Sequence, residues 1–147
     1  MTVGVDAASA RAISWDCEQT VLRLFGAMDA LDYEHVADAF VADGVWHRAG
    51  KALRGHDAIV AAMNERPTGR LVRHVITNVV IDVLDETRAT GRCYVTAYAG
   101  PAGSEPPAIN APWLLLTATH VFAPTDRGWK LTESTIVRDF VFNGQVG

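Results

Sequence analysis

A histidine in a β-rich segment is the residue of this chain best suited to acid–base chemistry. Residues 73–95 form a β-branched run, a polar turn at 85–87 and a second β-rich run, a pattern that predicts two strands joined by a turn. His74 opens the first strand, and an imidazole that faces a cavity can transfer protons near neutral pH. We therefore expect His74 to act as a general base or acid. The alternative is a core histidine whose nitrogens are bonded to backbone groups.

The carboxylate of Asp29 is the second candidate group. Asp29 lies near the C-terminal end of a long predicted helix and follows Met28, a residue of its apolar stripe. If both groups face one cavity, we predict that the two side chains lie within hydrogen-bond reach. The carboxylate would then fix the imidazole tautomer and raise the pKa of His74. The alternative is that Asp29 only caps or solvates the helix end, since Asp is rarely buried without a partner.

Strand alternation nominates further residues for the cavity wall. A strand is predicted near 44–49, and Trp46 and Arg48 share one of its faces. A shift of one residue in the register of this strand would place His47 there instead. We expect Trp46 and Arg48 to contact a substrate.

The predicted hairpin of residues 73–99 offers two more lining positions. Asn78 is expected to share the face of His74, together with Ile76 and Val80. On the second strand, Ala97 belongs to a face of small residues that leaves room for a cavity, whereas the opposite face carries Tyr94, Thr96 and Tyr98. That second face is suited to another contact surface.

Other chemistries have little support in the sequence. The five histidines are far apart and none is four residues from another, so we expect no metal site. No Gly-rich phosphate loop or nucleophile elbow is present, and no cofactor is expected. His35, His56 and His120 are interpreted as surface residues. Cys17 and Cys93 are interpreted as buried thiols, because no export signal accompanies them.

Composition and charge exclude several classes of partner. The net charge is −4 and the 13 Lys and Arg residues form no basic stripe, so nucleic acid is not an expected partner. No apolar stretch approaches the ~20 residues of a membrane span, and the start of the chain lacks the apolar centre of a secretory signal. We expect one domain over residues 1–147, located in the cytoplasm.

The order of predicted elements indicates an α+β fold. Helices are predicted at 8–31, 33–41 and 56–66, and Asp32 is the predicted N-cap of the second. Strands are expected near 73–84, 88–99, 112–123 and 129–142 as an antiparallel meander. The expected architecture is a cone-shaped α+β barrel, in which three N-terminal helices pack on the concave face of a strongly curved antiparallel sheet.

Three segments resemble the SnoaL-like domain of the nuclear transport factor 2-like superfamily. Residues 24–46 contain a similar D-x-x-D step at a helix end, residues 73–95 resemble its histidine-bearing hairpin, and residues 128–140 resemble its closing strand. The resemblance implies one SnoaL-like domain that pairs through its sheet as a homodimer. The superfamily contains enzymes and non-catalytic proteins, so the resemblance is more specific for fold than for activity.

Within that superfamily, scytalone dehydratase and the bile-acid 7α-dehydratases are the nearest functional parallels. They use a helix-end Asp and a first-strand His as a proton-transferring pair, and these positions match Asp29 and His74. An Arg on the last strand of the bile-acid enzymes matches Arg138, which could otherwise pair with a surface carboxylate such as Glu133 or Asp139. Where these enzymes carry further polar groups, this chain has other residues, namely Leu24, Arg48 and Ala97.

The resemblance implies cofactor-independent acid–base catalysis, of dehydratase or isomerase type, on a small hydrophobic and cyclic substrate. In this scheme His74 transfers the proton and Asp29 orients the imidazole of His74. Arg138 or Arg48 polarises an oxygen of the substrate. The alternative is a non-catalytic ligand-binding or assembly module, like the small subunit of ring-hydroxylating dioxygenases.

Overall fold

The computed structural model describes residues 4–142 and contains three helices and six strands within them. The bounds of the helices and strands are α1 (Ala7–Asp29), α2 (Tyr33–Asp38), β1 (Phe40–Arg48), β2 (Lys51–Arg54), α3 (His56–Asn64), β3 (Arg70–Asp85), β4 (Arg88–Pro101), β5 (Leu114–Thr125) and β6 (Gly128–Phe140). The predicted helices and the longer strands are confirmed, with ends that differ by a few residues. The short strand β2 was not predicted.

The six strands form one curved sheet in the order β2-β1-β6-β5-β4-β3. Strands β3 to β6 form the predicted antiparallel meander. The prediction of a purely antiparallel sheet is wrong at one place, because β1 runs parallel to β6. The two strands are separated by the 79 residues from 49 to 127, and local sequence patterns do not predict such a long-range pairing. The α+β barrel itself is confirmed.

Capping and turn residues set the two ends of α1. The side chain of Asp6 accepts hydrogen bonds from the backbone N–H groups of Ala8 and Ser9, both at 3.0 Å, and so satisfies donors that the first turn leaves free. The helix ends at Asp29, and two residues later Leu31 has a φ of 59°, which the α-helix cannot accommodate. Asp32 then caps α2 as predicted, accepting from the N–H of His35.

A β-bulge in the middle of β3 reverses which residues face the helices. Asn78 has a φ of 53°, and the register to β4 shifts between Thr77 and Val80. The bulge adds one residue, so Val79 packs against the core while Asn78 and Val80 are exposed. The prediction that Asn78 and Val80 share the face of His74 is therefore wrong.

The core lies between the helices and the inner face of the sheet. Its α1 residues include Cys17, Val21 and Met28, and its sheet residues include Cys93 and Val95. Both cysteines are buried free thiols, as predicted. Tyr94 and Tyr98 lie on the opposite face and are exposed. None of the described helices is both long enough and apolar enough to cross a lipid bilayer.

One histidine interpreted as a surface residue is buried. The side chain of His120 lies between Cys93 and Ser134, with its Nδ1 3.0 Å from the Ser134 Oγ. Even-numbered residues of β5 face the core, and Gly91 on β4 is the Cα partner of His120. The prediction for His120 is therefore wrong.

Candidate active site

The site centres on a direct contact between the end of α1 and the start of β3. Nδ1 of His74 lies 2.5 Å from Oδ1 of Asp29, and the backbone N–H of His74 donates to Oδ2 at 2.9 Å. The His74 side chain is 6% exposed and that of Asp29 is 16% exposed. The predicted contact between Asp29 and His74 is present. Asp29 is not a solvated helix end, and the described residues do not hold His74 through both of its ring nitrogens.

The contact fixes which imidazole nitrogen carries the proton. Both oxygens of Asp29 accept from His74, so Nδ1 is the protonated nitrogen of the neutral ring. Within residues 4–142, no group forms a hydrogen bond with Nε2 of His74. This nitrogen therefore holds a lone pair in a largely buried place, which is what a general base requires.

Burial decides the charge of the imidazole. The pKa of His74 is lowered from its ordinary value, first by burial, which disfavours the charged ring. Asp29 acts in the opposite direction, while the positive charges of Arg66 and Arg48 add to the lowering. Asp29 thus acts on the pKa of His74 in the predicted direction, but burial and the two arginines outweigh it. The ring is neutral at pH 7 and ready to accept a proton.

Strand β1 places Arg48 on the inner face, as predicted. Its guanidinium stacks on the ring of Trp46, 4.7 Å from the centroid, and Nη1 contacts the sulfur of Met63 at 3.7 Å. Burial, and then the charge of Arg66, lower the pKa of Arg48 to about 10, so it remains charged at pH 7. His47 points the other way and lies 3.5 Å from Glu133. Trp46 is fully buried and supports Arg48 from below.

Arg66, which the sequence analysis missed, completes the polar part of the site. It follows α3, and its Nη1 lies 3.4 Å from the carbonyl oxygen of Met28 and 3.5 Å from the hydroxyl of Tyr33. The guanidinium also lies 5.8 Å from the Tyr33 ring centroid. A single arginine after the end of a helix belongs to no sequence motif. The only feature of the sequence that marks Arg66 is its position just before Pro67.

The remaining predicted residues divide into those near the pair and those away from it. Ala97 is buried and is the Cα partner of His74 across β3 and β4. The ring beside the imidazole belongs to Phe25, with centroids 5.3 Å apart. The neighbouring Leu24 instead borders a groove of about 700 Å³ that α1 forms with α2 and the start of β6. Phe25 is thus the apolar neighbour that sequence reasoning missed.

The structure does not bring Arg138 or Asn78 to the pair. Arg138 is exposed, although its register with Leu116 places it on the inner face near the end of β6. Its two suggested partners are engaged elsewhere, since Glu133 contacts His47 and Asp139 accepts from Thr117 at 2.7 Å. The role of Arg138 in a site stays a prediction. Asn78 occupies the exposed bulge described above.

The donor set around the pair does not resemble a metal centre. Across the described residues, no three side chains of His, Cys, Asp or Glu converge on one point. The polar groups near His74 are one carboxylate, two guanidinium groups and one phenol. Such groups can abstract a proton, orient an imidazole and bind an oxyanion or another anion.

Comparisons with known proteins agree with this architecture. Residues 10–135 match the family described as SnoaL-like domain. Similar solved structures include a Mycobacterium tuberculosis protein of unknown function, 19% identical over 92% of this chain and 78% of that one, with a TM-score of 0.78. A candidate scytalone dehydratase from Novosphingobium aromaticivorans is 20% identical over 95% and 93% of the two chains, with a TM-score of 0.77.

A third similar structure contains a ligand. It is a Catenulispora acidiphila protein in complex with S-DNPA, 21% identical over 88% of this chain and 95% of that one, with a TM-score of 0.73. No functionally curated protein matches the sequence. At these identities the solved structures support the fold alone.

Proposed function

The chain belongs to the SnoaL-like domain family, and from this premise we propose that it is a cofactor-independent acid–base enzyme of dehydratase or isomerase type. The fold suits a ligand-binding or enzymatic domain. The observation that carries the proposal is the His74–Asp29 contact at 2.5 Å, which leaves Nε2 without a partner among the described residues. We infer a small hydrophobic, cyclic substrate, because the apolar residues Phe25 and Ala97 lie beside His74.

The proposed mechanism uses His74 as a shuttle for one proton. Nε2 takes a proton from a carbon next to a carbonyl group, and the negative charge of Asp29 stabilises the imidazolium that forms. Arg138 or Arg48 stabilises the negative charge that develops on the carbonyl oxygen. The imidazolium then returns the proton, to a departing hydroxyl group in a dehydration or to another carbon in an isomerisation.

Two similar structures are consistent with a small-molecule site in this fold. One is the candidate scytalone dehydratase, whose chain aligns over 95% of this one. The other is the S-DNPA complex, which indicates that this fold binds small molecules in at least one relative. We also propose that the protein is a homodimer paired through the outer face of the sheet, and that it acts in the cytoplasm.

A second candidate function is ligand binding or subunit assembly without catalysis. The observation that favours it is the position of the grooves on the protein. The described residues form five grooves that are lined by residues other than His74 and Asp29. The predicted apolar cavity beside the pair therefore stays a prediction. An assembly module would need the fold and the outer sheet face, but not a free Nε2.

Proton exchange in heavy water distinguishes the two functions. Cyclic ketones and hydroxyketones would be incubated with the protein in D₂O, and deuterium incorporation next to the carbonyl would be followed by NMR. The enzyme reading predicts exchange that falls about a hundred- to ten-thousandfold in His74→Gln and Asp29→Asn. The exposed His35 supplies the control variant His35→Gln, which should exchange normally. Exchange that persists unchanged in His74→Gln would remove His74 from the mechanism.

A further inference from the structure

The side chain of Arg48 is a half-buried cation without an anionic partner. Every ion pair among the described residues joins a histidine to an acidic residue, so none involves an arginine. The hydrogen bond of Arg48 goes to a thioether sulfur, which is a weak acceptor. Holding a charge away from water without a counterion is costly. The stack on Trp46 offsets a part of that cost.

Arg66 adds a second positive charge to the same place. Its hydrogen bonds to Met28 and Tyr33 are long, at 3.4 and 3.5 Å, and both acceptors are neutral. Its charge acts on Arg48 and also on His74. Two guanidinium groups that repel each other are thus held by the packing of aromatic and apolar side chains. Most of their N–H groups form no hydrogen bond to another described residue.

The one acidic group beside these cations is already engaged. Oδ1 of Asp29 accepts from the ring of His74, and Oδ2 accepts from the backbone N–H of His74. Within the described part of the chain, the charges that act on His74 are therefore one carboxylate and two guanidinium groups. Because the imidazole is neutral, this local set carries an excess of one positive charge.

We propose that Arg48 and Arg66 bind a carboxylate group of the substrate, so that the substrate is a hydrophobic cyclic carboxylic acid. A monoanion balances the excess charge, and a planar carboxylate matches the fork of guanidinium donors. Arg70 lies on the same face of β3 four residues before His74, stacked on Trp113 at 4.6 Å. The positive potential therefore extends along this face and favours the approach of anions.

This inference rests on the proposed function and specifies its substrate. If Arg48 and Arg66 fix the carboxylate, the ring of the acid lies against the apolar residues near Phe25, and its carbons come close to Nε2 of His74. The subsite would reject the neutral analogue of the same shape, because its amide leaves both guanidinium charges without a counterion.

A matched pair of ligands tests the subsite without any catalytic step. Binding of 2-naphthoate and of 2-naphthamide would be measured by calorimetry on the wild-type protein. We expect the acid to bind roughly ten- to a hundredfold more tightly than the amide. Equal binding of the two ligands, or no binding of either at millimolar concentration, would overturn the inference. This comparison uses only the wild-type chain and does not depend on the folding of a variant.

Variants then assign the preference to residues. Arg48→Met and Arg66→Met should each remove most of the preference for the acid, while Arg88→Met, at the exposed start of β4, should keep it. A preference that survives both substitutions would assign it to other residues and overturn the proposal.

The two proposals fail separately. If the protein binds 2-naphthoate and 2-naphthamide equally but heavy-water exchange depends on His74, the proposal of a carboxylate subsite is wrong and the proposal of an acid–base enzyme is retained. If the acid binds preferentially but no cyclic acid or ketone exchanges, the subsite stands as part of a binding protein.

Discussion

Acidification should destabilise this protein through His120, a residue outside the candidate site. The imidazole is 3% exposed and contacts Cys93 and Ser134. Burial lowers the pKa of His120 from 6.5 to about 4, because the charged ring would lose its hydration. In the unfolded chain the ring takes up a proton near pH 6.5, so between that pH and about 4 the unfolded state binds more protons. Stability therefore falls as the pH falls through this window.

The size of the effect follows from the two pKa values. The difference between 6.5 and about 4 corresponds to about 3 kcal/mol once the pH is below both values, at about 1.4 kcal/mol for each pKa unit. Between about pH 7 and about pH 5 the expected loss is about 2 kcal/mol from His120 alone. His74 contributes in the same direction, since its pKa is also lowered.

Urea unfolding of three proteins isolates the contribution of His120. The wild type, His120→Asn and the control His35→Asn would each be unfolded at about pH 7 and at about pH 5. The exposed His35 lies outside the core, so its variant keeps His120 and should still lose the stability that depends on His120. His120→Asn should lose about 2 kcal/mol less, since only that titration is removed. Equal losses in all three proteins would refute the argument that burial keeps His120 neutral.

Three further predictions concern the bulge, the outer face and the interior. Asn78→Val should lower the free energy of unfolding by about 1–2 kcal/mol, because a β-branched residue resists the positive φ, whereas Asn78→Gly should be tolerated; chemical denaturation measures both. Tyr94→Asp combined with Tyr98→Asp should convert the proposed homodimer into a monomer by light scattering, and a wild-type monomer at micromolar concentration would contradict the dimer. Flat hydrophobic ligands should change the fluorescence of Trp46 and raise the melting temperature, and a broad screen without any shift would favour the assembly role.

The helices and the meander could be predicted because each follows from a local pattern. The stripe through Cys17, Val21 and Met28 has the period of a helix, and Asp32 has the side chain of an N-cap. The contact between Asp29 and His74 was also predicted, although the residues are 45 positions apart. The sequence pattern placed Asp29 beside the apolar stripe of a helix and His74 at the start of a strand, and the family resemblance paired them.

The errors arise where one residue changes the geometry of its neighbours. The bulge at Asn78 depends on a single backbone angle, and no pattern in the surrounding valines reports it. His120 was misplaced because the inner face of β5 follows from its pairing with Gly91 on β4, which is a long-range contact. The net lowering of the His74 pKa could not be predicted, because the burial of the ring and the positions of Arg48 and Arg66 appear only in the folded chain.

The role of Asp29 can be examined by one substitution with a matched partner. Asp29→Asn keeps the shape of the side chain and removes its charge, so the tautomer of His74 is no longer fixed. Heavy-water exchange should fall strongly while the unfolding free energy changes little. Asp16, exposed on the same helix, supplies the control Asp16→Asn. A large loss of stability in Asp29→Asn alone would indicate that the contact has a structural role.

The protonation state of His74 tests most directly whether Asp29 holds this residue as a general base. It can be measured by ¹⁵N NMR of the imidazole in the wild-type protein. His74→Gln identifies the signals by their loss. We predict a protonated Nδ1 and an unprotonated Nε2 at about pH 7, with a titration midpoint below the ordinary histidine value near 6.5. A doubly protonated ring at that pH, or a proton on Nε2 instead of Nδ1, would contradict the claim that Asp29 holds His74 ready as a general base.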